Sequence, residues 1–246
     1  MIKSKKLRNL REINHGFFNK AGGISTGIYK GLNCGVGSYD NKNSVIKNLK
    51  IVCKKFGISK KKLILLNQNH TNKFHLIDEK YNFNKKTGDA LITKERGIAL
   101  GVLTADCVPI FIYDKIKKNI SLIHSGWRGL STGIFFNAMD ILFKANNNIK
   151  DFKFVIGPSI KKCCYEVDIK VYSKFDEKFY ELKNDGKAML DLQSVLLNQI
   201  LSYGFFIRNV LIDSECTKCS YKKFFSYRRE KEKSGRMLSI FNLMSK

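Results

Sequence analysis

The chain predicts an α+β fold built as one catalytic domain over residues 1–246, with mixed β-sheets packed against flanking helices. Short apolar runs bounded by Gly, Pro, Asn or Asp recur along it and read as buried strands. Longer stretches carry helical periodicity with cap and stop residues. The two kinds of segment are mixed without regular alternation, which argues against a doubly wound sheet, and no stretch has the composition of a linker.

In order along the chain, a glycine-rich stretch comes first, residues 14–39, with glycines at 22, 23, 27, 31, 35 and 37. It predicts tight turns between very short strands, where the backbone approaches a ligand or forms the loop-rich edge of a sheet. Residues 43–56 predict a helix, since Val45, Leu49, Val52 and Phe56 share one face and Gly57 supplies the stop. A short strand at 63–66 ends in Asn67-Gln68-Asn69-His70, and a second, 74–77, carries His75, read as structural. Thr87-Gly88-Asp89-Ala90 opens the next. Apolar runs at 98–103, 110–113 and 120–123 predict three buried strands, and 134–143 an amphipathic helix. Residues 152–156 read as a strand closed by Gly157-Pro158, and 168–182 as a helix. Asp191 caps a helix through Tyr203 that Gly204 ends; strands at 209–212 and at the end of the tail complete the chain.

Lys and Arg outnumber Asp and Glu by 45 to 21, a net charge of +24. The cations are mostly lysines scattered among Asn and Ile, so they read as compositional bias and solvated faces, including 3–11 and 60–62, and not as a nucleic-acid interface. Seven cysteines without a secretory leader predict reduced thiols or metal ligands in a cytoplasmic protein. The longest apolar run is interrupted by Asp106, so no membrane span is expected.

The chemistry concentrates between Thr104 and Gly129. Cys107 and His124 stand at the ends of apolar runs, and His70 ends another; a rigid strand fixes the direction of such a residue while the following loop leaves it room. One Cys and two His suit zinc, with the fourth position left for water or substrate, as in catalytic sites. The same residues also allow a Cys107 thiolate activated by His124, a hydrolase dyad acting on an amide of a cell-wall precursor or similar metabolite, or simply a buried Cys among core histidines. Cys216-x-x-Cys219, a single pair, reads as structural.

The strings Gln68-x-His70, Gly88-Asp89-Ala90, Thr104-Ala105-Asp106-Cys107-x-Pro109, His124-x-Gly126-Trp127-Arg128-Gly129, Ile156-Gly157-Pro158-Ser159-Ile160, Cys164-Tyr165-Glu166-Val167 and Ser226-Tyr227-Arg228-Arg229 with Gly235-Arg236 occur in that order. Together they resemble the family first labelled polyphenol oxidase or laccase and now treated as purine nucleoside phosphorylase. The resemblance runs from His15 to the C-terminus. It implies a layered α/β/β/α sandwich, zinc held by His70, Cys107 and His124, and phosphorolysis of adenosine, inosine and methylthioadenosine with a deaminase side activity. Copper is the less favoured metal: the four histidines, His15, His70, His75 and His124, are too few for a multicopper centre. Cytidine-type zinc deaminases place Glu two residues after the ligand His, where this chain has Gly126.

On that resemblance, phosphate is expected on Arg128, whose fork matches its oxygens, with Lys20 and Asn33 lining the same pocket. Lys20 stands where the family usually has Arg, which keeps the charge and loses the bidentate geometry. Asp106 is expected to carry a proton or steady the metal ligands, with Asp89 behind it. Arg228 and Arg229 read as either phosphate ligands or surface charges.

Overall fold

A computed structural model describes residues 1–78, 80–81, 86–145 and 148–244. Its strands are β1 (Ile13–Phe17), β2 (Leu63–Leu65), β3 (Phe74–Ile77), β4 (Ala90–Thr93), β5 (Ala99–Thr104), β6 (Val108–Asp114), β7 (Ile120–Ser125), β8 (Phe152–Ile156), β9 (Glu166–Val167), β10 (Tyr180–Leu182), β11 (Ala188–Leu190), β12 (Val210–Ile212) and β13 (Met237–Leu243). The helices longer than five residues are α1 (Lys42–Phe56), α2 (Ile134–Ala145) and α3 (Leu192–Ser202).

Two sheets stack face to face, because their strands are apolar on both sides. One has the order β1-β13-β5-β2, the other β12-β8-β6-β7-β4-β3, and both mix parallel with antiparallel pairs. The alternation of side chains along each strand assigns the layers. Leu100, Val102, Phe241 and Leu243 meet Leu91, Phe111, Leu122 and Val155 between the sheets. The opposite face of the smaller sheet, Ala99, Leu238 and Ile240, receives Val45, Leu49, Val52 and Phe56 of α1. The outer face of the larger sheet, including Ile110, Ile112, Ile123 and Phe154, is covered by α2 and α3. The result is the expected α/β/β/α stack.

The helix ends follow local chemistry. Asn41 accepts hydrogen bonds from the amides of Asn43 and Ser44 at the start of α1, and Gly57, at φ 72°, closes it. Asp191 does the same for α3 through Gln193 and Ser194.

Two expectations are corrected. The helix expected over 168–182 is instead two short turns, Ile169–Tyr172 and Glu177–Phe179, followed by β10, which pairs antiparallel with β11 in a third small sheet. Val171, Phe175 and Phe179 sit at helical spacing, but the two separate turns, with Phe175 between them, pack all three on the core without a continuous helix, and the turn at Gly186, φ 76°, folds β10 back onto β11. In the glycine-rich stretch, the close approach at Gly23 and Gly31 is chain to chain, while Gly35 and Gly37 line a cleft. A Cβ on Gly23 would lie 2.3 Å from the carbonyl oxygen of Gly31, and one on Gly31 would lie 2.0 Å from that of Lys20. Past β1 that stretch holds a bridge between Ser25 and Gly31 and a single 3-10 turn, with no run of short strands.

Candidate active site

Register brings the chemistry together. β4 pairs with β7 so that Ala90 faces Ile123, and β6 pairs with β7 so that Pro109 faces His124. Asp89, one residue before β4, therefore lies beside His124, whose backbone amide donates to the Asp89 carbonyl at 2.7 Å. Cys107, one residue before β6, reaches the same point. His70 comes from the loop after β2, which is tied to β5 through both ends of the Gln68 amide: Oε1 accepts from the Leu103 amide at 2.7 Å and Nε2 donates to its carbonyl at 2.8 Å.

His70 and Asp106 both hold left-handed backbone, φ 57° and 92°, a conformation that costs free energy and is kept only where the surroundings enforce it. For His70 the enforcement is visible. The amides of His70 and Thr71 and the Thr71 hydroxyl all donate to the Asp89 carboxylate, at 3.1, 2.6 and 2.7 Å. The same carboxylate takes His124 Nδ1 at 2.8 Å. One buried Asp thus orients both histidines and leaves His124 Nε2 turned toward Cys107.

Cys107 Sγ lies 3.7 Å from His70 Nε2, and the donor atoms of His70, Cys107 and His124 all fall within 4.8 Å of one another. Sulfur at about 2.3 Å and imidazole nitrogen at about 2.0 Å from a tetrahedral zinc would stand roughly 3.5 Å apart, so the set fits such an ion. A carboxylate behind the ligand imidazole is the usual support of a metal-bound His. Gly126 completes the cradle: a Cβ there would stand 2.7 Å from His70 Cδ2 and 3.1 Å from Cys107 Sγ.

Burial by itself raises the Cys107 thiol, but the charge on His124 and hydrogen bonds from both histidines outweigh it and bring the group to about 6. Burial likewise opposes a charged His124, yet Cys107 and Asp89 raise it to about 9. Asp89, raised by burial, is held below the usual carboxylate range mainly by the hydrogen bond and charge of His124. The three groups form an ionised chain, acidic thiol to imidazole to carboxylate.

The cluster opens into a cleft of about 570 Å³, within the range of small-molecule sites. Its walls carry Trp127, Tyr165 and Tyr227, the loop Gly35–Ser38, and three arginines, Arg128, Arg228 and Arg236. Arg128 sits over Trp127 with its guanidinium carbon 4.9 Å from the ring centre, and Arg228 over Tyr165 at the same distance.

The expected residues are distributed unevenly. His70, Cys107, His124, Asp106 and Arg128 line the cleft; Lys20 and Asn33 do not. Lys20 points to Phe225, its ammonium 5.9 Å from the ring. Asn33 is fully buried and holds the loop from behind. Its side chain accepts from the amides of Gly35 and Arg236, each at 2.9 Å, and donates to Ser38 and Asp40. The Asp106 carboxylate is taken up by the Thr217 hydroxyl at 2.6 Å, the Ser226 hydroxyl at 3.0 Å and the Arg228 amide at 2.6 Å, an anchor for the cleft wall. Arg229 spends its guanidinium on Glu230 and the carbonyls of Thr217, Lys218 and Phe224. Arg236 is the cation the sequence reading passed over; its place in the Gly235-Arg236 string was the available signal.

The α/β/β/α sandwich thus carries one cleft in which a Cys/His₂ cluster of metal-competent geometry stands beside three arginines. The chain belongs to the family described as multi-copper polyphenol oxidoreductase laccase, which it matches over residues 14–244. It is 31% identical to the purine nucleoside phosphorylase of Bacteroides thetaiotaomicron, over 97% of this chain and 94% of that one. An adenosine deaminase, RL5, of an unknown prokaryotic organism is 29% identical over 73% of this chain and 74% of its own length. The crystal structure of YlmD from Geobacillus stearothermophilus superposes with a TM-score of 0.90 at 26% identity, covering 98% of this chain and 94% of that one. Among the described residues no helix is long and apolar enough to cross a membrane.

Proposed function

We propose that the protein is a zinc-dependent purine nucleoside phosphorylase acting in the cytoplasm, with residues 1–246 as one catalytic unit. Adenosine, inosine and S-methyl-5'-thioadenosine are its substrate class, and base with (methylthio)ribose 1-phosphate its products. The observation that carries the proposal is the juxtaposition of the His70, Cys107 and His124 donors with Arg128, Arg228 and Arg236 in one cleft flanked by aromatic rings. The names of similar proteins support it, phosphorylase in one case and adenosine deaminase in another.

His70, Cys107 and His124 would hold the metal, which when bound supplies a Lewis acid for a substrate oxygen. Zinc is preferred to a multicopper centre because the cleft holds a single set of one sulfur and two imidazoles, which suits a tetrahedral ion with one open position. The other two histidines are committed elsewhere: His15 Nε2 accepts the Ser4 amide at 2.8 Å, and His75 Nε2 meets the Thr87 carbonyl at 3.0 Å. The arginines bind and orient phosphate for attack at the anomeric carbon as the bond to the base breaks, with positive charge developing on the ribose. Asp89 keeps both histidines in place, and Asp106 fixes Arg228 and the turn that carries Cys107, a positioning role in place of proton transfer.

Purified protein incubated with adenosine, with and without phosphate, tests the proposal. Adenine and ribose 1-phosphate formed only with phosphate are the expected products; a metal-free His70→Ala variant that retained full turnover would overturn it. The acidic Cys107 paired with His124 favours one alternative, a thiol hydrolase. That enzyme would be inactivated by alkylation and indifferent to chelators.

A further inference from the structure

Outside the cleft, the structure gathers a second set of soft donors that the reaction does not use. Cys163 and Cys164 lie on the turn Lys162–Cys164, and Cys216 and Cys219 on the turn after β12. Residues 165–215 separate the two pairs in sequence, yet all four sulfurs fall within 4.8 Å of one another. Cys163 Sγ is 3.6 Å from Cys164 Sγ and 3.8 Å from Cys219 Sγ; Cys164 and Cys219 are 3.3 Å apart. Four sulfurs around a tetrahedral zinc at about 2.3 Å stand roughly 3.8 Å from each other. A disulfide, with its sulfurs at about 2.05 Å, would use two of the four and leave the others crowded beside it.

The backbone is arranged for the same end. The turn is fixed by Ser220 donating to the Cys216 carbonyl at 2.9 Å, and to its neighbour by the bridge between Ser159 and Cys216. The Lys161 ammonium, on the segment just before the first pair, donates to the Asp213 carbonyl at 2.5 Å and so ties that segment to the turn after β12.

We propose that Cys163, Cys164, Cys216 and Cys219 form a four-thiolate zinc site that clamps the loop after β8 to the turn after β12. Both segments build the cleft wall. Ile160 and Tyr165 flank the first pair and line the cleft, and Thr217, between the second pair, holds Asp106. Binding releases the thiol protons to solvent, with no change in oxidation state. The site shares no ligand with the cleft cluster, so it stands whether or not the phosphorylase reading does.

The test is a metal count by mass spectrometry on full-length protein purified in reductant, with the Cys216→Ser/Cys219→Ser and His70→Ala variants beside it. About two zinc ions per chain are expected in the unaltered protein and about one in each variant. Cobalt substituted into His70→Ala protein is expected to show the intense sulfur-to-cobalt absorption of four thiolates. Zinc-reconstituted His70→Ala protein that retained no metal after desalting, or a Cys164–Cys219 disulfide in freshly purified reduced protein, would overturn the proposal. Should the double serine variant fail to fold, the His70→Ala metal count and cobalt spectrum decide alone. A clamp on the wall further predicts that the serine variants raise KM several-fold more than they lower kcat, and that restoring Cys219 alone does not return the second ion.

Discussion

The Asp89 carboxylate meets Thr71, the His70 amide and His124 Nδ1 at once, and so joins three points of the cleft. Asp89→Asn keeps the shape but offers an NH₂ where an acceptor is needed. It is expected to lower metal affinity and activity 10- to 100-fold, the usual effect of losing such a partner, read by metal titration and by turnover. Gly126→Ala tests the cradle: with 2.7 Å to His70 Cδ2, an added methyl displaces that ring. The expected result is loss of cleft metal, with the urea midpoint falling to that of the chelator-treated protein and no longer responding to added zinc. His15 gives a pH dependence of stability. Burial, helped by the charge of Lys3, depresses it to about 4 from an ordinary value of 6.5. The unfolded chain therefore binds more protons between those values, and stability falls as pH drops from about 6.5 to about 4, by roughly 3 kcal/mol in all. Urea unfolding across that window checks it, and His15→Gln should flatten the slope.

At the scale of elements, α3 links helix capping to the cleft. Asp191 accepts from the Gln193 and Ser194 amides at 3.1 and 3.0 Å, and Gln193 in the first turn donates to the Gly157 carbonyl and the Ser159 hydroxyl. The cap thus steadies the loop that continues to Ile160 in the cleft wall. Asp191→Ala is expected to cost about 1 kcal/mol of stability, measured by denaturant unfolding, with a KM effect if the loop shifts. This helix was legible because a cap, an apolar face and a glycine stop agreed over eleven residues. The 168–182 stretch was not, because its apolar spacing was right for a helix while its chain direction was set by pairing with β11. Local periodicity reports which residues are buried, and only the partner strand reports how.

For the whole molecule, the proposed metal would tie parts of the stack together. His70 follows a strand of the smaller sheet, while Cys107 and His124 belong to the larger one. A ligand bound only by the folded state stabilises it by RT ln(1 + [L]/Kd), about 4 kcal/mol at a thousandfold excess over Kd. Dialysis against a chelator is therefore expected to abolish turnover and lower the thermal midpoint by about 8–16 °C, at 2–4 °C per kcal/mol for a chain of this size, with zinc restoring both.

The sequence by itself determined most strands of the two larger sheets, the three long helices, the α+β class and the metal-type residues at the ends of apolar runs, His70, Cys107 and His124. These are local properties, written in periodicity, turn residues and donor type. Tertiary structure alone decided which of those residues share a point in space. It withdrew Lys20 and Asn33 from the cleft, made Asp89 the partner of two histidines, spent Asp106 on the wall, and added Arg236. It also brought Cys163 and Cys164 to Cys216 and Cys219, a pairing invisible in a lone Cys-x-x-Cys. The physical reason is the same in each case. Strand register and sheet stacking fix distances between residues far apart in the chain, and the free energy that sets register is spread over dozens of buried side chains with no part in the chemistry.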